Sequence, residues 1–397
     1  MISVMDRFEK TVLQVVPRLN AGGAERTTLE IAEAVVRSGG RALVFSEGGR
    51  LEEAIRNAGG ETIRGTAASK NPLTIWANAK RLSDIINGEQ VDIIHARSRA
   101  PAWSAYFAAR RTGAVYVTTY HGAYSAAGPV KRLYNSSMLR ADRVIANSHF
   151  TADRITALAG TAADRIAIIP RGVDIDLFDP KKVSAERVNA LAAGWGLGEN
   201  PGFKLLLPAR LTPWKGHETA IEAVRTVKQV LGARAATGQS PALSLVFCGG
   251  AQGRRAYEQR LRTVIDECGV RDMVQLVGDC ADMPAAYAWA DAVLAPSATP
   301  EAFGRVAVEA GAMERPVIAT NHGGALETVI DGKTGFLTGP GDAPALAQAI
   351  VNVIDMGETA RTVMGENARE RVASLFSSAA MCDATLGVYR ALLAERA

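Results

Sequence analysis

Apolar and polar positions along this chain fall into two alternating textures. Short runs dense in Val, Ile and Leu recur: "TVLQVVP", "RALVFS", "VDIIHA", "VYVTTYH", "RVIANS" and "IAIIP", then "FKLLLPA", "LSLVFCG", "MVQLVG", "DAVLAPS" and "PVIAT". Between them lie alanine-rich amphipathic stretches such as "ERTTLEIAEAVVRSG" and "HETAIEAVRTVKQVL". A short run that is apolar on both faces predicts a strand covered on both sides, and the stretches between predict helices. Their alternation predicts an α/β protein built on parallel, doubly wound sheets.

The series runs twice. The segment from Leu177 to Gly202, "LFDPKKVSAERVNALAAGWGLGENPG", breaks the rhythm with Pro, Gly and charge and reads as an interdomain linker. The expected domains are therefore residues 1–190 and 191–379, each Rossmann-like, with a last helix from about 380 to 397 packing back on the first. In such sheets ligands sit beyond the carboxyl ends of the strands, so residues just after strands carry the chemistry.

Composition narrows the field. A chain of 397 residues with 48% hydrophobic and 22% charged residues is globular and long enough for two cores. Its net charge of +4 and pI near 8.9 suit an anionic ligand or membrane face and are too mild for nucleic acid. Cys248, Cys268, Cys280 and Cys382 show no C-x-x-C spacing, which predicts scattered core thiols in a reducing compartment. The amino-terminal "MISVMDRFEKTVLQVV" does not read as a secretory signal, and no apolar run approaches the ~20 residues of a membrane span. A cytoplasmic protein is expected, with room for peripheral contact to the inner face of a membrane.

Chemistry concentrates after the strands. In "PEAFGRVAVEAGA", Glu301 and Glu309 stand eight positions apart around Phe303 and Gly304. On a helix starting near Phe303, eight residues span roughly 12 Å, with the two side chains about 80° apart on one side. Between them the first-turn amides offer an anion seat, which Gly304 leaves unobstructed. A carboxylate, an anion seat and a second carboxylate match the sugar, diphosphate and ribose of a sugar nucleotide.

Three further stretches agree. In "PARLTPWKG", Arg210 and Lys215 stand between a strand and a helix, as a clamp for a diphosphate. In "NAGGAER", Gly22 and Gly23 open a helix in a phosphate-friendly loop, although G-x-G-x-x-G is absent and hydride transfer is disfavoured. In "TTYHGAYS", His121 follows a strand, where a ring held toward the ligand could steer a sugar hydroxyl.

Taken together, "AGGAER", "HARSRAPAW", "YHG", "IPRGVDIDLF", "PARLTPWKG", "GDCADMPAAYAWADAVLAPS" and the segment from Pro300 to Leu337 resemble the retaining glycosyltransferases of family four, across nearly the whole chain. The resemblance implies the GT-B fold, two facing Rossmann-like domains with a cleft between them. It implies a hexosyltransferase moving a sugar from a nucleotide diphosphate donor with retained configuration and no required metal or cofactor. Carried over, Arg210 and Lys215 neutralise the leaving diphosphate. Gly22, Gly23, Phe303 and Gly304 lend backbone N–H groups, Glu301 holds the donor sugar, Glu309 the ribose, His121 the sugar near the reacting carbon, and Cys280 marks the base contact. Arg171 stands where many relatives have asparagine.

For the acceptor, "HARSRAPAW" is similar to members that build lipopolysaccharide core or glycolipids, and Arg97 and Arg99 suit an anionic, lipid-linked glycan. A solvated arginine pair is the competing explanation. Two other functions share the architecture: a nucleotide-sugar 2-epimerase, which needs no acceptor, and a non-catalytic nucleotide-sugar-binding protein.

Overall fold

The computed structural model describes residues 7–20, 22–122, 128–159, 163–197, 202–235 and 242–396. Positions 1–6 of the amino-terminal segment, 123–125 of "TTYHGAYS" and 198–201 of the expected linker lie outside the described residues. The chain forms two compact units, residues 1–172 with 378–397 and residues 173–377.

The first unit begins β1 (Thr11–Val15), α1 (Gly23–Arg37), β2 (Arg41–Ser46), α2 (Glu52–Asn57) and β3 (Glu61–Arg64). It continues α3 (Pro72–Gly88), β4 (Ile93–Ala96), α4 (Arg99–Thr112), β5 (Val115–Tyr120) and α5 (Pro129–Leu139). β6 (Arg143–Ala146), α6 (His149–Ala159) and β7 (Ile166–Ile168) complete a seven-stranded parallel sheet in the order β3-β2-β1-β4-β5-β6-β7. Alternate residues of each strand feed opposite faces, as strand geometry requires. Val12 and Ile93 pack with Ile31 and Val35 of α1, while Leu13 and Ile94 pack with Leu82 of α3 and Ala105 of α4.

The second unit runs α7 (Ala185–Gly194), β8 (Phe203–Pro208), α8 (His217–Ala235), β9 (Leu243–Cys248), α9 (Arg255–Glu267) and β10 (Val274–Gly278). There follow α10 (Met283–Trp289), β11 (Ala292–Ala295), α11 (Arg305–Ala312), β12 (Val317–Thr320) and α12 (Ala325–Thr328). The unit ends with β13 (Gly335–Thr338), α13 (Ala343–Asp355) and α14 (Gly357–Leu375). Its six strands, in the order β10-β9-β8-β11-β12-β13, are all parallel. In both sheets the order reverses beside the first strand, the crevice-forming point of doubly wound folds.

The unit boundary falls at Gly172/Val173, earlier than the expected 190. The cause is local packing. Val173 donates its N–H to Phe376 at 2.8 Å and bridges Ser377, and Phe178 enters the second core against Tyr287. The stretch taken for a linker contains α7, capped by Ser184 and tied to α10 by the Arg187–Asp282 ion pair at 2.5 Å. Its Val188 and Leu191 pack on the same core, so charge on its outer face had disguised a docked helix.

The last helix, α15 (Ser378–Ala394), belongs to the first unit. Met381, Cys382, Leu386, Tyr389 and Leu392 join the core face that α1 covers, and Tyr389 lies 2.5 Å from Nδ1 of His95 on β4. No helix among the described residues is long and apolar enough to cross a membrane.

Candidate active site

In the second unit the loop after β8 carries Arg210 and then a short turn, Pro213–Lys215, that Gly216 closes. Gly216 has φ +76°, and a Cβ there would lie 1.9 Å from the Pro296 carbonyl oxygen. Only glycine permits that approach, which lays the turn against the chain just after β11. The contact brings Lys215 within 2.7 Å of Oε1 of Glu301. Ser297, at the end of "DAVLAPS", donates its hydroxyl to the same oxygen at 2.5 Å. Both charged side chains are mostly buried, and the Lys215 ammonium also sits 4.4 Å from the centre of the Trp214 ring. Arg210 donates to Gln252 at 3.3 Å and has no carboxylate partner among the described residues.

Glu301 is held from behind. Its carbonyl accepts from the Gly324 N–H at 2.9 Å, and a Cβ on Gly324 would meet the Phe303 backbone at 2.4 Å. Phe303 itself is buried, edge-on to Phe376, so its side chain anchors the loop and only its backbone is available. Gly304 is the N-cap of α11 at φ +84°. The N–H groups of Phe303 and Gly304 donate to no group among the described residues, which leaves them free for an anion. A small cavity here is lined by Ser297, Glu301, Gly304, Thr320 and His322. Both ring nitrogens of His322 are buried and unpartnered among the described residues.

The helix starts later than the sequence predicts. α11 spans Arg305–Ala312, so Glu301 stands in the preceding loop and the helical spacing to Glu309 does not apply. Glu309 lies on the helix and is bound at both oxygens, by Arg305 at 2.6 Å and by Tyr287 Oη at 2.9 Å. Burial, with the Glu309 charge next to it, keeps the Tyr287 phenol well above its ordinary pKa, so it remains a donor.

Cys280 lies in the loop after β10, beside the end of β9. The Cys248 thiol donates to the Met283 sulfur at 3.9 Å and also lies close enough to Cys280 to shift it, so these two cysteines are neighbours where the sequence suggested scattered thiols. The neighbouring Cys248 thiol is the main influence lowering Cys280 to about 7, while Cys248 is pushed up.

The first unit holds Gly22, Gly23, Arg97, Arg99 and His121. Gly22 is the N-cap of α1 and Gly23 its first residue. A Cβ on Gly22 would lie 2.1 Å from a Glu25 carboxylate oxygen, so an acidic side chain of the same helix covers this end. His121 follows β5, with both ring nitrogens buried and unpartnered among the described residues. Burial, reinforced by Arg171 and Arg97, keeps its pKa well below the ordinary value, and the imidazole is neutral. Arg171, the departure from many relatives, donates to the His121 carbonyl at 3.2 Å.

Arg97 and Arg99, expected to face an anionic acceptor together, stand in different surroundings. Arg97 is 1% exposed, with Nε and Nη2 both on Gln14 Oε1 at 2.8 and 2.5 Å, so it is neither solvated nor open to an acceptor. Arg99 is half-buried and donates to Asn135 at 3.2 Å. Ser297, His322, Gln252 and Tyr287 escaped the sequence reading. Ser297, one residue beyond a strand end, was within reach of the strand-end rule, whereas the burial of Tyr287 left no local trace.

Comparison with known proteins agrees with this architecture. Residues 21–177 match the model of Glycosyltransferase Family 4, and residues 197–371 that of Glycosyl transferases group 1. A D-inositol 3-phosphate glycosyltransferase of Acidothermus cellulolyticus is 30% identical over 95% of this chain and 87% of its own length. A GDP-mannose-dependent alpha-(1-6)-phosphatidylinositol monomannoside mannosyltransferase of Mycobacterium tuberculosis is 33% identical over 51% of this chain. That match spans half the length of the mannosyltransferase. Among solved structures, a glycosyltransferase from Rickettsia africae superposes with TM-score 0.88 at 34% identity, over 97% of this chain and 99% of that one.

Proposed function

The chain belongs to the family four glycosyltransferases, and on that premise we propose that it transfers a hexose from a nucleotide diphosphate sugar to a lipid-linked or cell-envelope glycan acceptor. One observation carries the reading furthest: the 2.7 Å contact of Lys215 with Glu301, shared by Ser297. It sets a phosphate-binding cation beside a carboxylate able to hold sugar hydroxyls. The two parts of a sugar diphosphate need these two chemistries side by side.

In this reading the donor diphosphate lies over the free N–H groups of Phe303 and Gly304, against Lys215 and Arg210. Glu301 accepts from the donor-sugar hydroxyls. Glu309, oriented by Tyr287 and Arg305, accepts from the ribose, and the backbone near Cys280 meets the base. In the first unit, the N–H groups of Gly22 and Gly23 are proposed as phosphate donors once the Glu25 carboxylate moves aside, and neutral His121 as a partner for a sugar hydroxyl. As the glycosidic C–O bond breaks, negative charge grows on the leaving phosphate, where the two cations stabilise it. The acceptor oxygen bonds the anomeric carbon on the face the phosphate leaves and gives its proton to that phosphate oxygen, which retains the anomeric configuration. These protein groups supply the charge stabilisation, and the reaction is proposed to run without a metal ion.

A charged acceptor fits the basic surface, and the similar proteins named above act on inositol phosphate or phosphatidylinositol mannoside by their names. With Arg97 enclosed, Arg99 is the acceptor-side cation proposed from this motif. The enzyme is proposed to work in the cytoplasm, on the inner face of the membrane.

The test is a thermal-shift screen across nucleotide diphosphate sugars, followed by product analysis with the best donor. A donor at 100 times its Kd stabilises by about 2.7 kcal/mol, a readily measured rise in melting point. Retained anomeric configuration and turnover in a chelator are the expected results. A flat screen, or epimerised donor with no transfer, would reject the reading.

A further inference from the structure

The outer surface of α3, α4 and α5 in the first unit combines two features that rarely share a solvated surface. Leu73 and Trp76 on α3 are 81% and 60% exposed, and Val130 and Leu133 on α5 are 78% and 62% exposed. α4 lies between them: Ser104 donates to the Ile75 carbonyl on one side, and Arg99 to Asn135 on the other. The two apolar pairs therefore flank one helix, where a buried role is open to neither.

The charge on the same three helices is one-sided. They hold seven bases (Lys80, Arg81, Arg99, Arg110, Arg111, Lys131 and Arg132) against one acid, Asp84. Their net charge of +6 exceeds the +4 of the whole chain, so the remaining sequence is net negative. The basic balance is local to this surface. Arginines also stack on its aromatic rings: Arg111 lies 5.6 Å from the Trp76 centroid, and Arg140, at the end of α5, 5.7 Å from that of Trp103.

We propose that this surface docks on a lipid bilayer bearing anionic headgroups. Protruding Leu, Val and Trp side chains enter the headgroup region, and the surrounding cations meet lipid phosphates. Tryptophan with an arginine on its ring suits that boundary, where one side is apolar and the other wet. Phe107 on α4, 38% exposed, adds an apolar group between the two pairs, and the one-sided charge around them suits a bilayer of anionic headgroups. This surface gives a specific basis to the membrane-side working place proposed above, yet it requires nothing of the transfer chemistry.

The experiment is co-sedimentation of the full chain with vesicles, either pure phosphatidylcholine or a mixture with phosphatidylglycerol, over a range of salt. Binding is expected on the anionic vesicles only, weakening as salt rises. The pairs Leu73→Ser with Trp76→Ser, and Val130→Ser with Leu133→Ser, should each lower partitioning at least tenfold. Lys131→Glu with Arg132→Glu should lower it and flatten the salt dependence. Leu326→Ser with Val363→Ser, exposed residues of the second unit, should change nothing. A melting midpoint and the donor-induced shift, recorded for each variant, certify the fold and report separately on the transferase reading. Failure of the wild type to sediment, equal binding to neutral vesicles, or indifference to the apolar substitutions overturns the proposal. Retention on immobilised polyglutamate without vesicle binding overturns it in favour of an acidic polypeptide partner.

Discussion

Nζ of Lys215 and Oε1 of Glu301, 86 positions apart in sequence, stand 2.7 Å apart, and Gly216 against Pro296 is what lets them meet. Each compensates the other's charge, so a cation and an acceptor are held side by side at modest cost. An arriving diphosphate gains the cation, and sugar hydroxyls gain the carboxylate. Loss of one stabiliser of developing charge costs about 100- to 1,000-fold in kcat. Lys215→Ala should lose turnover in that range with its circular dichroism unchanged, and Glu301→Gln should also be impaired. Their combination should cost less than the two losses multiplied, because the residues touch. Near-normal turnover in Lys215→Ala would remove the clamp.

Glu309 offers an independent handle. Its oxygens are fixed by Arg305 and Tyr287, and hydrogen bonds to a charged group contribute about 1.5–3 kcal/mol. Glu309→Gln should therefore weaken the donor at least tenfold by calorimetry. A donor lacking the ribose hydroxyls should bind wild type and variant alike. If the variant loses the same factor against both donors, Glu309 acts on structure and not on the ribose.

Cys280, lowered to about 7 by the neighbouring Cys248 thiol, should be largely thiolate at pH 7.5. Burial raises Cys268 instead. Iodoacetamide should label Cys280 first, with a rate half-maximal near pH 7, as peptide mass spectrometry can follow. Bound nucleotide should slow that labelling if the base lies where proposed. A half-maximal rate near pH 9 would show the thiol pair to be unimportant.

Histidine burial sets the acid side of stability. His217 is fully buried, and burial lowers it to about 4, against roughly 6.5 when unfolded. Below pH 6.5 the unfolded chain binds a proton that the native state refuses, so stability falls as pH falls. The slope is about 1.4 kcal/mol per pH unit down to about pH 4, and this group contributes none above 6.5. His217→Asn should remove one histidine's share of the slope in urea titrations between pH 7.5 and 4.5. His95 and His121, lowered by burial in the same sense, should maintain the remainder.

Sequence pattern reached most of the fold because buried parallel strands are apolar on both faces. It passed over β3, "ETIR", and β13, "GFLT", which lie at sheet edges and are half wet. It also read α7 as linker, since a helix touching the core along one stripe shows mostly charge. Among the candidate residues, those tied to strand ends could be picked out from the pattern: Lys215, Arg210, Glu301 and His121. What was missing depends on distant partners. Nothing near Arg97 announces that Gln14 will enclose it, and nothing near Cys280 points to Cys248, 32 positions earlier. The offset in α11 arose because Gly304 can cap a helix in the left-handed region and delay its start.

The placement of α15 sets an order on biosynthesis. Residues 173–377 hold everything their own core requires, so they can fold while still near the ribosome. Val12, Val44 and Ile93 emerge earlier, yet their hydrophobic face stays short of Met381, Leu386 and Tyr389 until α15 is translated. The half that is made first is therefore completed last, and in the interval it exposes a sticky sheet that chaperones can recognise.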